Sequence, residues 1–459
     1  MSFPRYQKYK SSGAEWLGQV PEHWKIDRLK RSVLSVKNGT WGEDAKGDRS
    51  DIPCVRVADF NRERLCVSPD IPTIRNVSER ERRGRMLKRG NLLLEKSGGG
   101  ELQPVGAVAL YDSDAPAVCS NFVAVVALAD GMVPSFWRYL HAAAYSVRLN
   151  ARSIKQTSGI QNLDQQQYFD EVAPFPPVHE QGLIAKFLDV ETSKIDALIA
   201  EQERLIELLK EKRQAVISHG VTKGVNEGAV KKHSGVQWIG EIPQKWTVCE
   251  VRRVVNQIEQ GWSPECLGRH AELSEWGVLK TGCVNYGRFA EQENKALPDD
   301  LTPATEYEVR PGDVIMSRAN GSPELVGSTA IVESVRPRLM LSDKLFRFGF
   351  GKDLDPRFFV LIFNARYMRA QIERAISGAE GLANNLPQSA LKSFVLALPP
   401  MAEQGEIVKR ISAKLQEIDR LGGEAATYIA LAQERRSALI TAAVTGQIDV
   451  RGLAEQKTA

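Results

Sequence analysis

The side chains best suited to chemistry in this sequence are hydrogen-bonding groups in predicted loops. Lys96 and Arg318 each follow a strand-like run of buried character and open a loop rich in small residues. Cationic side chains contact phosphates, and asparagine or glutamine amides can pair bidentately with the adenine edge in a major groove. This combination suits nucleic-acid binding, although any one of these residues is also typical of an ordinary loop.

The candidate DNA-binding residues share a cationic, amide, hydroxyl or indole side chain in or beside a predicted loop. They are Trp41, Arg56, Asn61, Lys96, Ser97, Ser120, Asn121, Lys155, Gln156, Ser158, Asn162, Trp262, Lys280, Asn285, Arg318, Asn320, Lys344 and Asn384. The two tryptophans could stack or contact a groove, but packing in a core or loop is the better interpretation for either. A basic tract from Arg75 to Arg89 suits phosphate contact and a solvated helical face about equally.

Catalytic machinery is not recognisable in the sequence. It has no GxxxxGK[ST] phosphate loop, no HExxH, no Asn-Pro-Pro-aromatic run and no glycine-rich turn of a cofactor-binding fold. The six histidines are dispersed without metal-ligand spacing. Glu293-Asn294-Lys295 resembles the end of a nuclease site but lacks an upstream Pro-Asp, so a solvated loop is the better interpretation. We therefore predict no catalytic, cofactor-binding or metal-binding residue on this chain.

Length and composition indicate a multidomain protein without export signals. The 459 residues favour about three domains, and the net charge of +4 gives no general sign of a nucleic-acid partner. The six cysteines are scattered without a CxxC pair, which is typical of reduced thiols in a cytoplasm. Neither a signal peptide nor a run long enough to span a membrane is present, so we expect a cytoplasmic protein with no membrane partner.

An internal repeat positions the candidate loops. SGAEWLGQVPEHW, from Ser12 to Trp24, recurs as SGVQWIGEIPQKW from Ser234 to Trp246. RGNLLLEKSGG in the first half likewise parallels PGDVIMSRANG in the second, and Ser120-Asn121 parallels Ser342-Asp343. Amphipathic helices and the loops TSGIQNL and EGLANNL then follow in the same order. Each half is predicted to be one mixed α/β globule.

Each globule leads into a long helix that begins after two prolines and the pattern x-x-E-Q-G. The first helix is predicted from Glu180 to about Ile217, and its counterpart lies in the segment 401–459, after Pro399-Pro400. A seven-residue frame predicts which side chains pack between the helices. They are Leu188, Ile195, Leu198, Leu205, Leu209, Val216, Ile411, Ile418, Leu421, Tyr428 and Leu439. Gly422-Gly423 predicts a bend or break, unless packing overrides it.

The order of the elements predicts their geometry. The linker from the first helix to Ser234 is short, so the second helix can pack along the first only by running back. The fold class is therefore predicted as α+β, with two mixed α/β domains separated by a long antiparallel two-helix coiled coil. The halves are expected to be related by a pseudo-two-fold axis, with the chain termini close together. The predicted domains are residues 1–178, 179–222, 223–400 and 401–459.

These duplicated motifs resemble the specificity subunit of type I restriction-modification systems. The resemblance covers the whole chain and depends on the order SG-x-x-W-[LI]-G-x-[VI]-P-x-x-W, G-[ND]-x-x-x-x-[KR], PP-x-x-EQ and KIDALI or EIDRL. It implies a DNA-binding subunit without catalytic activity. Each globule would be a target recognition domain for one half of an asymmetric, bipartite sequence in double-stranded DNA.

The resemblance also implies partners. Two methyltransferase subunits that use S-adenosylmethionine would dock on the helices, and restriction subunits would supply translocation and cleavage with ATP and Mg. The loops of the two halves differ, so we expect a non-palindromic target. The leading alternative is a solitary DNA-binding or scaffold protein, and a degenerate nuclease or methyltransferase is a more distant one.

Overall fold

The structure is a computed structural model that describes residues 3–157, 159–376 and 384–455. The chain forms two compact units. Unit 1 comprises Met1–Glu203 and Ala426–Ala459, and unit 2 comprises Arg204–Ala425. Each long helix therefore contributes one end to each unit. The predicted domain boundaries treat the helices as separate segments, and they stay a prediction.

The helices include two that are far longer than the rest. In chain order they are α1 Glu79–Arg82, α2 Pro134–Ser146, α3 Gln165–Phe169, α4 Val178–Lys223, α5 Pro356–Phe363, α6 Arg366–Ala375, α7 Gln388–Lys392, α8 Met401–Val444 and α9 Arg451–Glu455. The first long helix, α4, extends about one and a half turns beyond its predicted end. Gly220 lies in this extension, and a Cβ there would meet the Ile411 side chain at 2.3 Å. The glycine therefore permits close packing of α4 on α8.

Short strands make up the sheets of both units. Those of unit 1 are β1 Tyr9–Ser11, β2 Gln19–Pro21, β3 Lys25–Arg28, β4 Val33–Asn38, β5 Glu43–Asp44, β6 Asp51–Val55, β7 Phe60–Asn61, β8 Cys66–Val67, β9 Ile74–Asn76, β10 Leu92–Glu95, β11 Ser97–Gly98, β12 Val108–Leu110, β13 Val118–Cys119, β14 Val123–Leu128, β15 Ile154–Thr157, β16 Ile160–Leu163 and β17 Val172–Phe175. Those of unit 2 are β18 Lys231–His233, β19 Glu241–Pro243, β20 Thr247–Glu250, β21 Val255–Gln260, β22 Gly277–Leu279, β23 Asn294–Ala296, β24 Val314–Ser317, β25 Ala319–Asn320, β26 Thr329–Ile331, β27 Leu339–Met340, β28 Leu345–Phe350, β29 Asn384–Asn385 and β30 Val395–Leu398.

The sheets of the two units have the same strand order, which confirms the internal repeat. The main sheet of unit 1 contains β4-β14-β10-β12, and that of unit 2 is β21-β28-β24-β26. A second pair of strands is parallel in both units, β13 with β6 and β27 with β22. The main sheet of unit 1 continues into β8 and β7, which have no counterpart in the main sheet of unit 2. The two units thus share these strands and differ in the segments that connect them.

The tryptophan that closes each repeated opening motif is a fully buried core residue. Trp24 packs in the core of unit 1 and Trp246 in the core of unit 2. Each contacts a glycine that ends a long helix in the left-handed conformation, Gly446 (φ 75°) for Trp24 and Gly224 (φ 73°) for Trp246. A Cβ on Gly446 would lie 2.3 Å from Pro21 Cδ. In each unit the motif therefore packs against the C-terminal end of a long helix and has a structural role.

The long helices pack antiparallel within each unit, as predicted. In unit 1, Ile195 and Ile199 in the first half of α4 share a core with Leu439 and Ile440 near the end of α8. Asp196 also pairs with Arg436 at 2.7 Å. In unit 2 the pairing joins the end of α4 to the first half of α8, through Arg213 and Asp419 at 2.8 Å. The prediction of two mixed α/β domains and an antiparallel helix pair is confirmed.

The packing stripe on the helices differs from the predicted one. Leu198, Leu205 and Tyr428 are 43%, 37% and 42% exposed, so their assignment to the interior of the pair is wrong. Several residues at the fifth heptad position pack more closely, namely Thr192, Ile199, Leu415, Ile429 and Ala443. The sequence predicts Ile199 and Ile206, at this position, to widen the stripe. Of the other predicted positions, Leu188, Ile195, Leu209, Ile411, Ile418 and Leu439 are buried, and Val216 and Leu421 are half-buried.

Two further expectations concern local geometry. Helix α8 is continuous through Gly422-Gly423, so the expected break is absent. A Cβ on either glycine would meet nothing within 4 Å. The segments near the two ends of the chain meet in unit 1, where the amide of Asp449 donates to the carbonyl of Pro4 at 2.8 Å. The expected proximity of the termini is confirmed for these described residues.

The described residues also bear on redox state and on membrane insertion. All six cysteines are free thiols. Burial raises the pKa of Cys54 to about 11 and that of Cys119 to about 12. These buried thiols therefore stay protonated near neutral pH. Within the described parts of the chain, no helix is both long and apolar enough to cross a bilayer.

Candidate nucleic-acid interface

Main-chain hydrogen bonds hold three loops of unit 1 together around Lys96. The amide of Lys96 donates to the carbonyl of Phe122 at 2.9 Å, and its carbonyl accepts from the amide of Leu163 at 2.8 Å. The segment after β10, the turn before β14 and the end of β16 therefore meet at this residue. We call this arrangement, in which main-chain hydrogen bonds join Lys96 to Phe122 and to Leu163, the frame.

The same frame recurs in unit 2 around Arg318. The amide of Arg318 donates to the carbonyl of Lys344 at 3.0 Å, and its carbonyl accepts from the amide of Leu386 at 2.8 Å. These partners match those of Lys96, because Lys344 precedes β28 as Phe122 precedes β14. In both halves of the repeat, the structure thus brings together three loops that contain candidate residues. The side chains on the frame differ between the units.

A cleft of about 540 Å³ lies beside the frame in unit 1. Five predicted residues line it: Trp41, Arg56, Ser97, Ser120 and Asn121. These residues come from four separate loops, and no sequence pattern joins them. The structure therefore gathers a part of the predicted set into one concave surface.

The lining of this cleft combines charge with polar groups that lack partners. Glu95 is 2% exposed and pairs with Arg62 at 3.0 Å. Burial raises the pKa of Glu95, and the charge of Arg62 opposes that shift. Among the described residues, the Ser120 hydroxyl and the Arg56 Nε find no hydrogen-bond partner. The cleft therefore keeps unused hydrogen-bonding capacity, which is uncommon for buried polar groups.

Trp41 and Phe122 form the apolar part of the cleft. Trp41 is 38% exposed, and the guanidinium of Arg75 lies 4.5 Å from its ring centroid. Phe122 is 45% exposed and was not among the predicted residues. Its position directly after the predicted Ser120-Asn121 pair is a signal that could have found it.

The remaining candidates of unit 1 are placed less uniformly. Asn162 accepts from the Ser97 hydroxyl at 2.6 Å, which ties β16 to β11. Lys155 is exposed and pairs with Asp164 at 2.6 Å, and Gln156 is exposed beside it. Asn61 lines a different cavity, of about 820 Å³, and accepts from the amide of Arg64. Ser158 lies outside the described residues, as does the part of the EGLANNL loop at 380–383.

In unit 2 the frame carries Arg318, Asn320, Lys344 and Asn384. Arg318 donates to the carbonyl of Asp343 at 3.1 Å and lies over the Phe346 ring at 5.6 Å. Asn384 donates to the carbonyl of Gly321 at 3.2 Å, and Lys344 is exposed. These contacts leave Lys344 as the exposed cation of this frame.

Three other predicted features have structural roles or lie apart from the frame. Trp262 is half-buried against a small core, which agrees with the packing interpretation and not with a DNA contact. Lys280 pairs with Glu293 at 3.1 Å, and Asn285 lies in a kinked 3₁₀ segment before the exposed Tyr286. A Thr281–Asn320 contact of 3.4 Å connects the segment after Lys280 with the frame.

The basic tract from Arg75 to Arg89 does not form one helical face. Only Glu79–Arg82 is helical, and Ser78 caps it. Arg89 pairs with Asp112 at 2.8 Å and with Asp114 at 2.9 Å, which neutralises the end of the tract. Within the described ranges, no group of three His, Cys, Asp or Glu side chains has the geometry to hold a metal ion.

Comparisons with known proteins point to one family by sequence. Over 205 residues, the chain is 33% identical to the type I restriction enzyme EcoEI specificity subunit of Escherichia coli, covering 43% of this chain and 34% of that protein. Over 292 residues, it is 25% identical to the EcoKI specificity subunit of E. coli strain K12, covering 61% of this chain and 59% of that protein. The matched parts thus span less than two thirds of these relatives. No family model matches the chain.

The fold comparison extends over nearly the whole chain. A solved structure described as the basis of complex assembly and conformational transition of the type I R-M system matches with a TM-score of 0.66. The match covers 93% of this chain and 98% of that chain at 16% identity, so it concerns the fold alone. These findings confirm the resemblance: in sequence the chain is similar to specificity subunits of type I restriction enzymes, and its fold is similar to that of the solved type I R-M structure.

Proposed function

We propose that the chain is the DNA sequence-specificity subunit of a type I restriction-modification complex. Each unit recognises one half of an asymmetric, bipartite target in double-stranded DNA. The observation that carries this proposal is the duplicated main-chain frame, which presents unlike side chains at matching positions around Lys96 and Arg318. Equal frames with unlike side chains suit two half-sites of unlike sequence.

The side chains on the frames have the chemistry that DNA recognition requires. Lysine and arginine contact phosphates, whereas asparagine and serine can hydrogen-bond to base edges. Asn121 and Lys344 are exposed on the loops next to the frame residues. Trp41 and Phe122 offer apolar surface in the same cleft as Arg56. The frames thus combine groups for affinity with groups for sequence discrimination.

The long helices are proposed to dock two methyltransferase subunits. In unit 1, Leu198, Tyr428 and Leu431 are exposed on the helices, and in unit 2 Leu205 and Leu208 are exposed on α4. Large apolar side chains on a surface helix favour a protein partner over permanent exposure to water. This observation favours the complex over the alternative of a solitary DNA-binding or scaffold protein.

Catalysis in this proposal belongs to the partners. S-adenosylmethionine would bind to the methyltransferase subunits, and ATP and Mg to the restriction subunits. This chain would supply recognition and assembly, with no catalytic, cofactor-binding or metal-binding residue of its own.

The decisive experiment is expression of the chain together with methyltransferase subunits of a type I system from the same genome, followed by mapping of N6-methyladenine in the cell's DNA. The expected result is one bipartite motif with two unlike parts and an unread gap. Two inverted copies of one half-site would contradict the asymmetry. Failure of the chain to copurify with methyltransferase subunits, together with DNA binding by the chain alone, would support the solitary alternative.

A further inference from the structure

Asn121 and Asp343 occupy the same position of the same turn. In unit 1 the amide of Val123 donates to the carbonyl of Ser120 at 3.0 Å, and in unit 2 the amide of Leu345 donates to that of Ser342 at 3.1 Å. The residue after the serine is therefore the first residue at the tip of a tight turn in both units. A main-chain bond to the preceding residue also recurs, from Thr40 to Cys119 at 2.8 Å and from Trp262 to Leu341 at 3.0 Å.

The two side chains are available for an external partner. Asn121 is exposed on the lining of the cleft, and its amide has no hydrogen-bond partner among the described residues. Asp343 is half-buried, and its carboxylate accepts one bond from the Ser263 hydroxyl. A carboxylate has about four acceptor sites, so capacity remains after this bond. The Ser263 contact also fixes the orientation of the carboxylate.

The chemical difference between these side chains selects different bases. An asparagine amide both donates and accepts, which matches N6 and N7 of adenine in the major groove. An aspartate carboxylate only accepts, which matches the N4 amino group of cytosine. We propose that this turn position is a specificity determinant in both units, with Asn121 recognising adenine in one half-site and Asp343 recognising cytosine in the other. This inference rests on the proposed function.

Reciprocal substitutions test the proposal in the complete complex with its methyltransferase subunits. We expect Asn121→Asp to change one adenine of one half-site to cytosine, and Asp343→Asn to change one cytosine of the other half-site to adenine. The change in relative affinity between the two bases should be about ten- to a hundredfold. The measurements are methyladenine mapping in cells and binding of purified complex to duplexes with each of the four bases at every position of the half-site.

Two further variants serve as controls. Asn226→Asp introduces the same charge in the exposed linker and should leave both half-sites unchanged. Asn121→Ala should remove the preference at one position without creating a new one, and its binding panel remains informative where methylation is lost. An unchanged order of the four bases at every position in Asn121→Asp and Asp343→Asn would overturn the inference. A wild-type complex without any bipartite methylated motif would instead contradict the proposed function itself.

Discussion

Burial decides which ionisable side chains of unit 1 respond to pH. His141 in α2 is almost completely buried, and its Nδ1 lies 2.8 Å from the Tyr168 hydroxyl. Removal of the ring from water lowers its pKa from 6.5 to about 4. The native state therefore keeps this histidine neutral under conditions in which the unfolded chain binds a proton.

We expect the stability of unit 1 to fall as pH falls from about 6.5 to 4. The unfolded state binds more protons over this window, so the free energy of unfolding decreases with decreasing pH, by about 3 kcal/mol in total. His141→Gln cannot titrate and keeps a hydrogen-bonding group near Tyr168, so it should flatten this dependence. Chemical denaturation at several pH values is the measurement. His219→Gln, on an exposed residue, should retain the wild-type slope.

The two cations of the frames support a second prediction. Lys96→Ala should weaken binding to one half-site and Arg318→Ala to the other. If the contact is to phosphate, the slope of log affinity against log salt should fall by roughly one, with unchanged sequence preference. Salt titrations of binding to matched duplexes measure this slope. Lys8→Ala, on a 77% exposed side chain of the first hairpin, should change neither slope nor preference.

At this scale the sequence predicted which loops correspond in the two halves, but not which loops meet or how each side chain is used. The repeat paired Ser120-Asn121 with Ser342-Asp343, and the structure places both on equivalent turns. Trp41 and Trp262 looked alike in sequence, yet one lines the cleft and the other packs on a core. Trp41 is the second residue after Gly39, whereas Trp262 is the first residue after the equivalent Gly261. Neighbouring side chains of an extended chain point to opposite sides, so this difference of one residue reverses the side on which the ring lies. The DNA-binding residues stay a prediction.

Among the elements, the long helices show what a hydrophobic pattern cannot determine. Steps of three and four residues both keep side chains on one helical face, so the fourth and the fifth heptad positions fit the pattern equally well. The partner surface decides between them, and here it buries Ile199 and exposes Leu198. Glycine in a helix interior costs about 1 kcal/mol for each residue, and this low propensity alone led to the predicted break at Gly422-Gly423. The helix remains continuous across them.

Substitution of a buried helix residue and of its exposed neighbour should have different effects on stability. Ile199→Ala should destabilise the protein by about 2–4 kcal/mol, because it empties a site in the core of unit 1. Leu198→Ala should change stability by less than about 0.5 kcal/mol and should weaken retention of methyltransferase subunits. Chemical denaturation and copurification measure the two effects. Equal destabilisation by both substitutions would contradict the exposed position of Leu198.

At the scale of the whole molecule, the proposed function implies that the length of the helix pair sets the distance between the two half-sites of the DNA target. A heptad inserted after Glu201 and another after Glu424 would lengthen both helices by about 10 Å, which corresponds to about three base pairs. Because seven residues nearly complete two turns, the packing faces would keep their register. We expect a longer unread gap with both half-sites unchanged, as measured by methyladenine mapping. An unchanged gap would show that the helices do not set the distance.

The shared frame around Lys96 and Arg318 has a consequence for how such proteins diversify. Its hydrogen bonds use main-chain groups, which every residue except proline supplies in full. Mutation can therefore replace the outward side chains one after another while the fold beneath them persists. If the chain has the proposed function, a lineage that carries this gene can acquire a new target through a few point changes, or through exchange of a single half of the coding sequence.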